Sequence, residues 1–249
     1  MPITYHPDET IKMKRHVVEQ LQQPNILYSF SGTHDLSSGS MNVGVWCPSS
    51  WEIRRVSIHF NADTSKNYAV SVMRGVGIIK GKNDRLWVKV DGAPSQAAII
   101  TQGFYDGGDL ATAVAAALNA CAFPAASKPF AVAYDEEAGT FTIEPAAGNA
   151  KVLLSNYPSV TVKMNSTAAP LLGFTANTAM DASLVSDTPV SGLGTMTTYV
   201  TGTSSATENI MSTDVVAMTV DNQLVIEASL PGEGDLLATY EVVYKTLDA

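Results

Sequence analysis

Residues 103–120 read GFYDGGDLATAVAAALNA, and no other segment of the chain specifies one structure so firmly. The alanines between Ala111 and Ala117 have the highest helix propensity of any residue. Asp106 or Asp109 can cap the start by accepting hydrogen bonds from free backbone N–H groups. Leu110, Val114 and Leu118 recur every four residues and so share one face, while the small residues between them let the helix lie close against a sheet. A sheet is therefore expected on both sides of the helix in sequence.

Downstream, Phe130, Val132 and Tyr134 alternate as one strand, Asp135 to Gly139 supply the acidic and glycine residues of a hairpin loop, and Phe141 and Ile143 alternate back. Two more strands are expected near Val152–Leu154 and Val160–Met164, and the run PLLGF at Pro170–Phe174 closes the unit. Ile99 and Ile100 form a short strand before the helix. Residues 94–180 thus read as a small α+β module, one helix over an antiparallel sheet.

Outward from the module the period changes to two. Trp51 and Ile53, with Val56, Ile58 and Phe60, face one side against Arg55, Ser57 and His59, the mark of a half-buried antiparallel strand. The turn NADTSKN leads to Tyr68, Val70 and Val72, and glycines 75, 77 and 81 punctuate the return to Leu86, Val88 and Val90. Near the other end, Val216, Met218 and Val220 turn at Asp221 and Asn222 into Leu224 and Ile226, and LLATYEVVYKT follows the loop PGEGD. Because the two sets are alike in kind, residues 46–93 plus 205–249 are expected to form one antiparallel β-sandwich, jelly-roll-like, with the α+β module inserted at a loop tip. Residues 181–204 read as a linker or long loop, with a strand within Met196–Val200. The fold class is mainly β.

Residues 1–45 carry few apolar residues in any sustained period and read as an N-terminal arm. A short helix from Asp8 to Gln22 would show a thin stripe of Ile11, Val18 and Leu21, joined by Val17. A stripe so thin is marginal alone, so the arm should dock on its own domain or on a neighbouring subunit. Ile11, Val18 and Leu21, with Trp46 at the arm's end, are the candidate interface residues.

The chain of 249 residues is 45% hydrophobic and only 16% charged, with a net charge of −9. That field repels phosphate backbones and acidic lipid surfaces, so no direct nucleic-acid partner is expected. The basic cluster Lys12, Lys14, Arg15 and His16 is the local exception and reads as a solvated face. Cys47 and Cys121 lack metal-ligand or redox spacing and read as two buried free thiols. The N-terminal stretch lacks an apolar signal core, and no run reaches the ~20 apolar residues of a membrane helix. The sequon at Asn165 reads as accidental without a secretion signal.

Catalytic, metal and cofactor motifs are not found. GVGIIKG, Gly75–Gly81, lacks the glycine spacing of a dinucleotide fingerprint and precedes a strand, so it reads as a turn or bulge. His6, His16, His34 and His59 show no zinc spacing, and no GxSxG elbow occurs. Asp135, Glu136 and Glu137 sit together in a hairpin turn, where acids face water, and Asp106 with Asp109 fits helix capping better than calcium. Trp51 and Trp87 fall in strand patterns, leaving Trp46 as the tryptophan most expected to be exposed. One such platform is slender support for glycan binding.

The series G-x-Y-x-x-x-x-L-A-x-A-x-x-x-A-L-N runs through Gly103, Tyr105, Leu110, Ala111, Ala113, Ala117, Leu118 and Asn119. F-x-V-x-Y-D-x-x-x-G-x-F-T-I runs through Phe130, Val132, Tyr134, Asp135, Gly139, Phe141, Thr142 and Ile143, and L-L-G-F ends it at Leu171, Leu172, Gly173 and Phe174. This module resembles one recurrent in structural proteins of bacteriophage and other virus particles. The resemblance implies a non-enzymatic virion protein assembled in the host cytoplasm, acting on copies of itself and other virion proteins, without cofactor. It favours a capsid-decorating or tail and fibre-associated role. A jelly-roll capsid protein of a tailless virus comes next, and a carbohydrate-binding module or adhesin is the alternative of another class.

Overall fold

The computed structural model describes residues 14–16, 27–35, 41–60, 66–90, 94–147, 166–175, 184–204, 208–211, 216–229 and 237–247. The chain forms two compact units. One is the continuous stretch Arg74–Thr195, and the other joins the segments on either side, up to Met73 and from Met196.

The discontinuous unit is an antiparallel sandwich. One sheet contains β1 (Lys14–His16), β2 (Leu27–Asp35), β17 (Leu237–Thr246), β4 (Trp51–Phe60) and β14 (Glu208–Met211) in that order, and β15 (Val216–Met218) also pairs with β4. The other runs β13 (Met196–Ser204), β5 (Lys66–Arg74), β16 (Asn222–Ser229), β3 (Met41–Val45). β14 pairs with the far half of β4 and β15 with its near half, so the two are halves of one broken strand. Counted that way, with β1 as an added hairpin edge, the described residues of the sandwich form eight strands. Their order is first, eighth, third, sixth in one sheet and second, seventh, fourth, fifth in the other. This is the jelly roll, two interleaved Greek keys.

Its core lies between the sheets. Trp51, Ile53, Val56, Ile58 and Phe60 of β4 meet Val70 and Val72 of β5, Leu224 and Ile226 of β16 and Met41 of β3. Alternation along β4 breaks between Ile53 and Val56, which are three residues apart. The strand absorbs this with a bulge: Val243 pairs with Arg55 and Tyr244 with Ile53, leaving Arg54 as the extra residue. Arg54 and Arg55 are both exposed as a result, ion-paired to Glu52 at 2.5 Å and Glu241 at 2.8 Å. Two residues thus oppose one, and both halves of the strand keep their apolar side chains inward.

Several expectations for this region are corrected. Lys14–His16 are extended and pair with Leu27–Ser29, which interrupts the expected helix over 8–22; the remainder of that segment lies outside the described residues. Ladder bonds to β2 serve this short segment better than a helix with so thin an apolar stripe. Residues 27–35 and 41–45 are sandwich strands, not arm. The pattern of β2 is hidden because Gly32 occupies an inward position where a large side chain is expected. The Tyr240 ring, directly across the ladder, covers it: a Cβ on Gly32 would lie 2.4 Å from the Tyr240 hydroxyl oxygen. The strand expected within Met196–Val200 is present and longer: β13 runs to Ser204, so residues 201–204 are strand and not linker.

The unit 74–195 holds α1 (Gly107–Ala120) with short antiparallel ladders: β6 (Val76–Ile78) on β9 (Gly103–Tyr105), β7 (Arg85–Val88) on β8 (Gln96–Ile99), and β10 (Phe130–Asp135) on β11 (Thr140–Pro145) on β12 (Leu184–Val185). Asp106 caps α1, its Oδ1 accepting from Asp109 N at 2.7 Å. The expected stripe of Leu110, Val114 and Leu118 is buried, together with Val76, Ile78, Leu86, Val88, Phe130, Phe141 and Ile143. Leu86 and Val88 therefore belong to this core and not to the sandwich, and the junction falls at 73/74 instead of 93/94. Alternation shows that a face is buried without showing which core buries it. Likewise Leu184–Val185 extend this sheet, and the unit runs to residue 195 instead of 180.

Asn119, at the end of the helix, serves both backbone groups of Phe130: its Nδ2 donates to Phe130 O at 3.1 Å, and Phe130 N donates to its Oδ1 at 2.8 Å. The PLLGF run is a 3-10 turn, Ala169–Leu172, closed by Gly173 at φ +75°. The strands expected at 152–154 and 160–164 lie outside the described residues.

Gly32→Val should test the tyrosine cover. The new side chain must displace the Tyr240 ring, which also stands edge-on to Phe30 at 6.4 Å between centroids. Overpacking of this kind costs about 1–3 kcal/mol, so urea denaturation should show a lower midpoint with an unchanged slope.

Candidate functional site

Each sequence-derived candidate has a definite location or lies outside the described residues. Ile11, Val18 and Leu21 lie outside them. Trp46 is half-buried, and its indole Nε1 donates to Val220 O at 2.7 Å. That bond ties the β3–β4 connection to the turn after β15, so Trp46 braces the sandwich and does not stand out as an exposed platform. Trp51 is fully buried, its ring edge-on to Tyr244 at 5.3 Å. Trp87 is half-buried.

The polar candidates likewise shape turns. Asp135 Oδ1 accepts from Glu137 N and Ala138 N at 3.0 and 2.9 Å, and the hairpin closes at Gly139 with φ +68°. Gly81, at φ +77°, holds the turn after β6, where its N–H donates to Asp84 Oδ2 at 2.8 Å. Thr167 of the sequon accepts from Arg85 N at 3.2 Å. His59 is exposed on β4. Cys47 and Cys121 are free thiols, Cys121 buried as expected but Cys47 only half-buried, and burial pushes the Cys121 thiol up against a smaller opposite effect from Lys128. Among the described residues no three His, Cys, Asp or Glu side chains converge as metal ligands, and no helix is long and apolar enough to cross a membrane.

Among the described residues two surface features stand out. The outer face of β10 and β11 forms a shallow depression lined by Ala131, Ala133, Tyr134, Asp135, Thr142 and Glu144. Its floor is small and smooth, and its acids flank it without a basic partner among the lining residues. The second is the outer edge of β13, where Met196 and Tyr199 are among the exposed large hydrophobic residues of the chain. Sequence reasoning expected a strand within Met196–Val200 but missed its extension through Ser204, because Ser, Thr and Gly there resemble loop composition. The signal that identifies it is the β-propensity of MTTYVTGTS, rich in Thr, Tyr and Val.

Two tyrosines of the inserted unit have raised pKa values. Burial raises Tyr105, reinforced by the Asp109 carboxylate, and its hydroxyl donates to Thr101 O at 2.8 Å. Burial is also the main cause at Tyr134, whose hydroxyl donates to Val190 O at 2.8 Å and whose ring covers Gly107 at the helix start.

The chain is thus a jelly-roll sandwich carrying an α+β insert between its fourth and fifth strands. No protein-family description and no curated protein matches it. Among solved structures it is weakly similar to the mavirus penton protein, with a TM-score of 0.27 and 9% identity over 88% of this chain and 100% of that one. A structure of infectious bursal disease virus, Gx strain, aligns at a TM-score of 0.11 and 9% identity, over 95% of this chain and 41% of that one. At such scores neither alignment supports an argument from shared geometry.

The raised tyrosines give a pH dependence. A group whose pKa is higher folded than unfolded stabilises the fold fully below the unfolded value, near 10, and that contribution is lost as pH rises through the folded value. The melting temperature of the inserted unit should therefore fall above about pH 10. Tyr134→Phe should shift that alkaline limb, monitored by absorbance of tyrosinate alongside circular dichroism.

Proposed function

We propose that this protein is a non-enzymatic structural component of a virus particle, acting through contacts with copies of itself and with other particle proteins. The observation that carries the reading is the strand order of the sandwich. The jelly roll is an architecture of viral capsid domains, and also of lectins and cupins. Fold alone therefore leaves the role open. The likeness of residues 103–174 to a module of virus-particle proteins supports the particle among these. Because the jelly roll is the chain's own sandwich, a capsid role in a tailless virus now ranks above a decorating or tail and fibre role.

In this reading the mechanism is assembly. A closed sandwich presents rigid edges and loops, while the insert enlarges the surface without disturbing the strand order. Its ends meet on neighbouring strands: Met73 pairs with Met196, and Arg74 N donates to Thr195 O at 2.9 Å. An insertion with adjoining ends requires no opening of the sandwich.

Light scattering after size-exclusion chromatography tests the reading on the purified full chain. The expected mass is a multiple of the 26.3 kDa chain that grows with concentration, with rings or shells in electron micrographs. A monomer at every concentration would contradict self-assembly.

A further inference from the structure

Strand β13 ends its sheet, and among the described residues no strand pairs with its outer edge. An open edge presents unpaired N–H and C=O groups, which proteins ordinarily blunt with charge, proline or shortness. β1, at an edge of the other sheet, is three residues long and reads Lys14, Arg15, His16. β13 is protected by neither charge, proline nor shortness; the bulge at Tyr199 interrupts its edge and leaves a regular stretch from Val200 onward. Its nine residues, MTTYVTGTS, include no charge and no proline, although the chain as a whole carries −9. Thr197, Thr198, Tyr199, Thr201 and Thr203 are exposed along it.

The register slips between Thr198 and Val200, so Tyr199 is a bulge that ends one regular stretch and starts another at Val200. Within the second stretch Val200 pairs with buried Val70 and Gly202 with Tyr68, which places both on the core face. Thr201 and Thr203, paired with Ala69 and Asn67, occupy the other face and flank Gly202 symmetrically. A Cβ at Gly202 would lie 2.3 Å from the Tyr68 hydroxyl oxygen, so the centre of this stretch is small and covered from the core side.

We propose that two copies of the chain join through β13, antiparallel about a two-fold axis at Gly202, so that Thr201 lies opposite the partner's Thr203. The proposal rests on the reading of the protein as an assembling one and names the contact. A second copy is the occupant because threonine–glycine–threonine reads the same in both directions, and a two-fold pairing of one edge with itself leaves no edge over. The pairing brings no like charges together, and a charged peptide would find no complementary charge on this strand. The bulge at Tyr199 confines the new ladder to the residues around Gly202.

The experiment mixes two full-length variants, Thr201→Cys and Thr203→Cys, each in a Cys47→Ser background, under mild oxidation. A disulfide-linked dimer is expected in the mixture and far less in either variant alone, because each position faces the other and not itself. A second variant, Thr201→Lys with Thr203→Lys, sets four positive charges around the axis. It should dissociate the dimer at least tenfold more readily than the unmodified chain while keeping its circular dichroism. No mixed cross-link together with an unchanged mass for the lysine variant overturns pairing through β13, leaving self-assembly by another surface. A monomeric unmodified chain at every concentration overturns both.

Discussion

The sandwich depends on β4 keeping one row of side chains inward across an interruption in its own alternation. Trp51 and Ile53 are in one phase, and Val56, Ile58 and Phe60 are in the other. A strand without a bulge would send one group to solvent. Each such side chain contributes about 1.5–3 kcal/mol on burial, whereas the exposed ion pairs of Arg54 and Arg55 contribute about 0–1 kcal/mol each. Burial decides the geometry, and the arginines occupy the positions it leaves on the surface. β4 also pairs with β17 on one side and with β14 and β15 on the other, so its register is passed to the whole sheet.

Aromatic rings complete what alternation leaves unfilled. Tyr28 stacks on Tyr244 at 5.5 Å, and Tyr244 also meets Phe30 at 6.0 Å and Trp51 at 5.3 Å, linking β2, β17 and β4. Gly32 and Gly202 lie beneath Tyr240 and Tyr68 on the neighbouring strands. The same device thus appears once in each sheet, and in both a glycine that would weaken a strand by itself accepts a ring from across the ladder. In the inserted unit Gly107, the first residue of α1, is covered by the Tyr134 ring of β10, a helix–strand contact instead of a ladder one.

Features set by neighbours in sequence were legible from the start. The α1 stripe, the Asp106 cap and the β10–β11 hairpin depend on spacings of a few residues, and the paired cores of β4, β5 and β16 follow from alternation. Features set by distant partners were hidden. Gly32 reads as a loop residue until Tyr240, more than two hundred positions away, is known to cover it. Leu86 and Val88 alternate as any sandwich strand does, and only their burial in the cluster that also holds the α1 stripe assigns them to the other core. β13 carried threonine and glycine that suit a loop, and its place beside β5 is fixed by pairing across the insert. Of the candidate site, Trp46 was singled out by residue type, but its hydrogen bond to Val220 is a long-range fact. The acids were read as turn and capping residues, and Asp106 and Asp135 are so used.

Deletion of Arg54 tests this account of the fold most directly, with Arg54→Ala as the control that keeps the residue count. The account expects the alanine variant to melt as the unmodified chain does. The deletion should keep cooperative melting of the sandwich, because without the extra residue Trp51, Ile53, Val56, Ile58 and Phe60 alternate regularly and still face inward together, with Arg55 and Ile53 opposite Val243 and Tyr244 as before. Loss of the cooperative transition on deletion of Arg54, with the alanine variant unaffected, would contradict the claim that Arg54 is the extra residue by which the bulge keeps both halves of β4 facing inward.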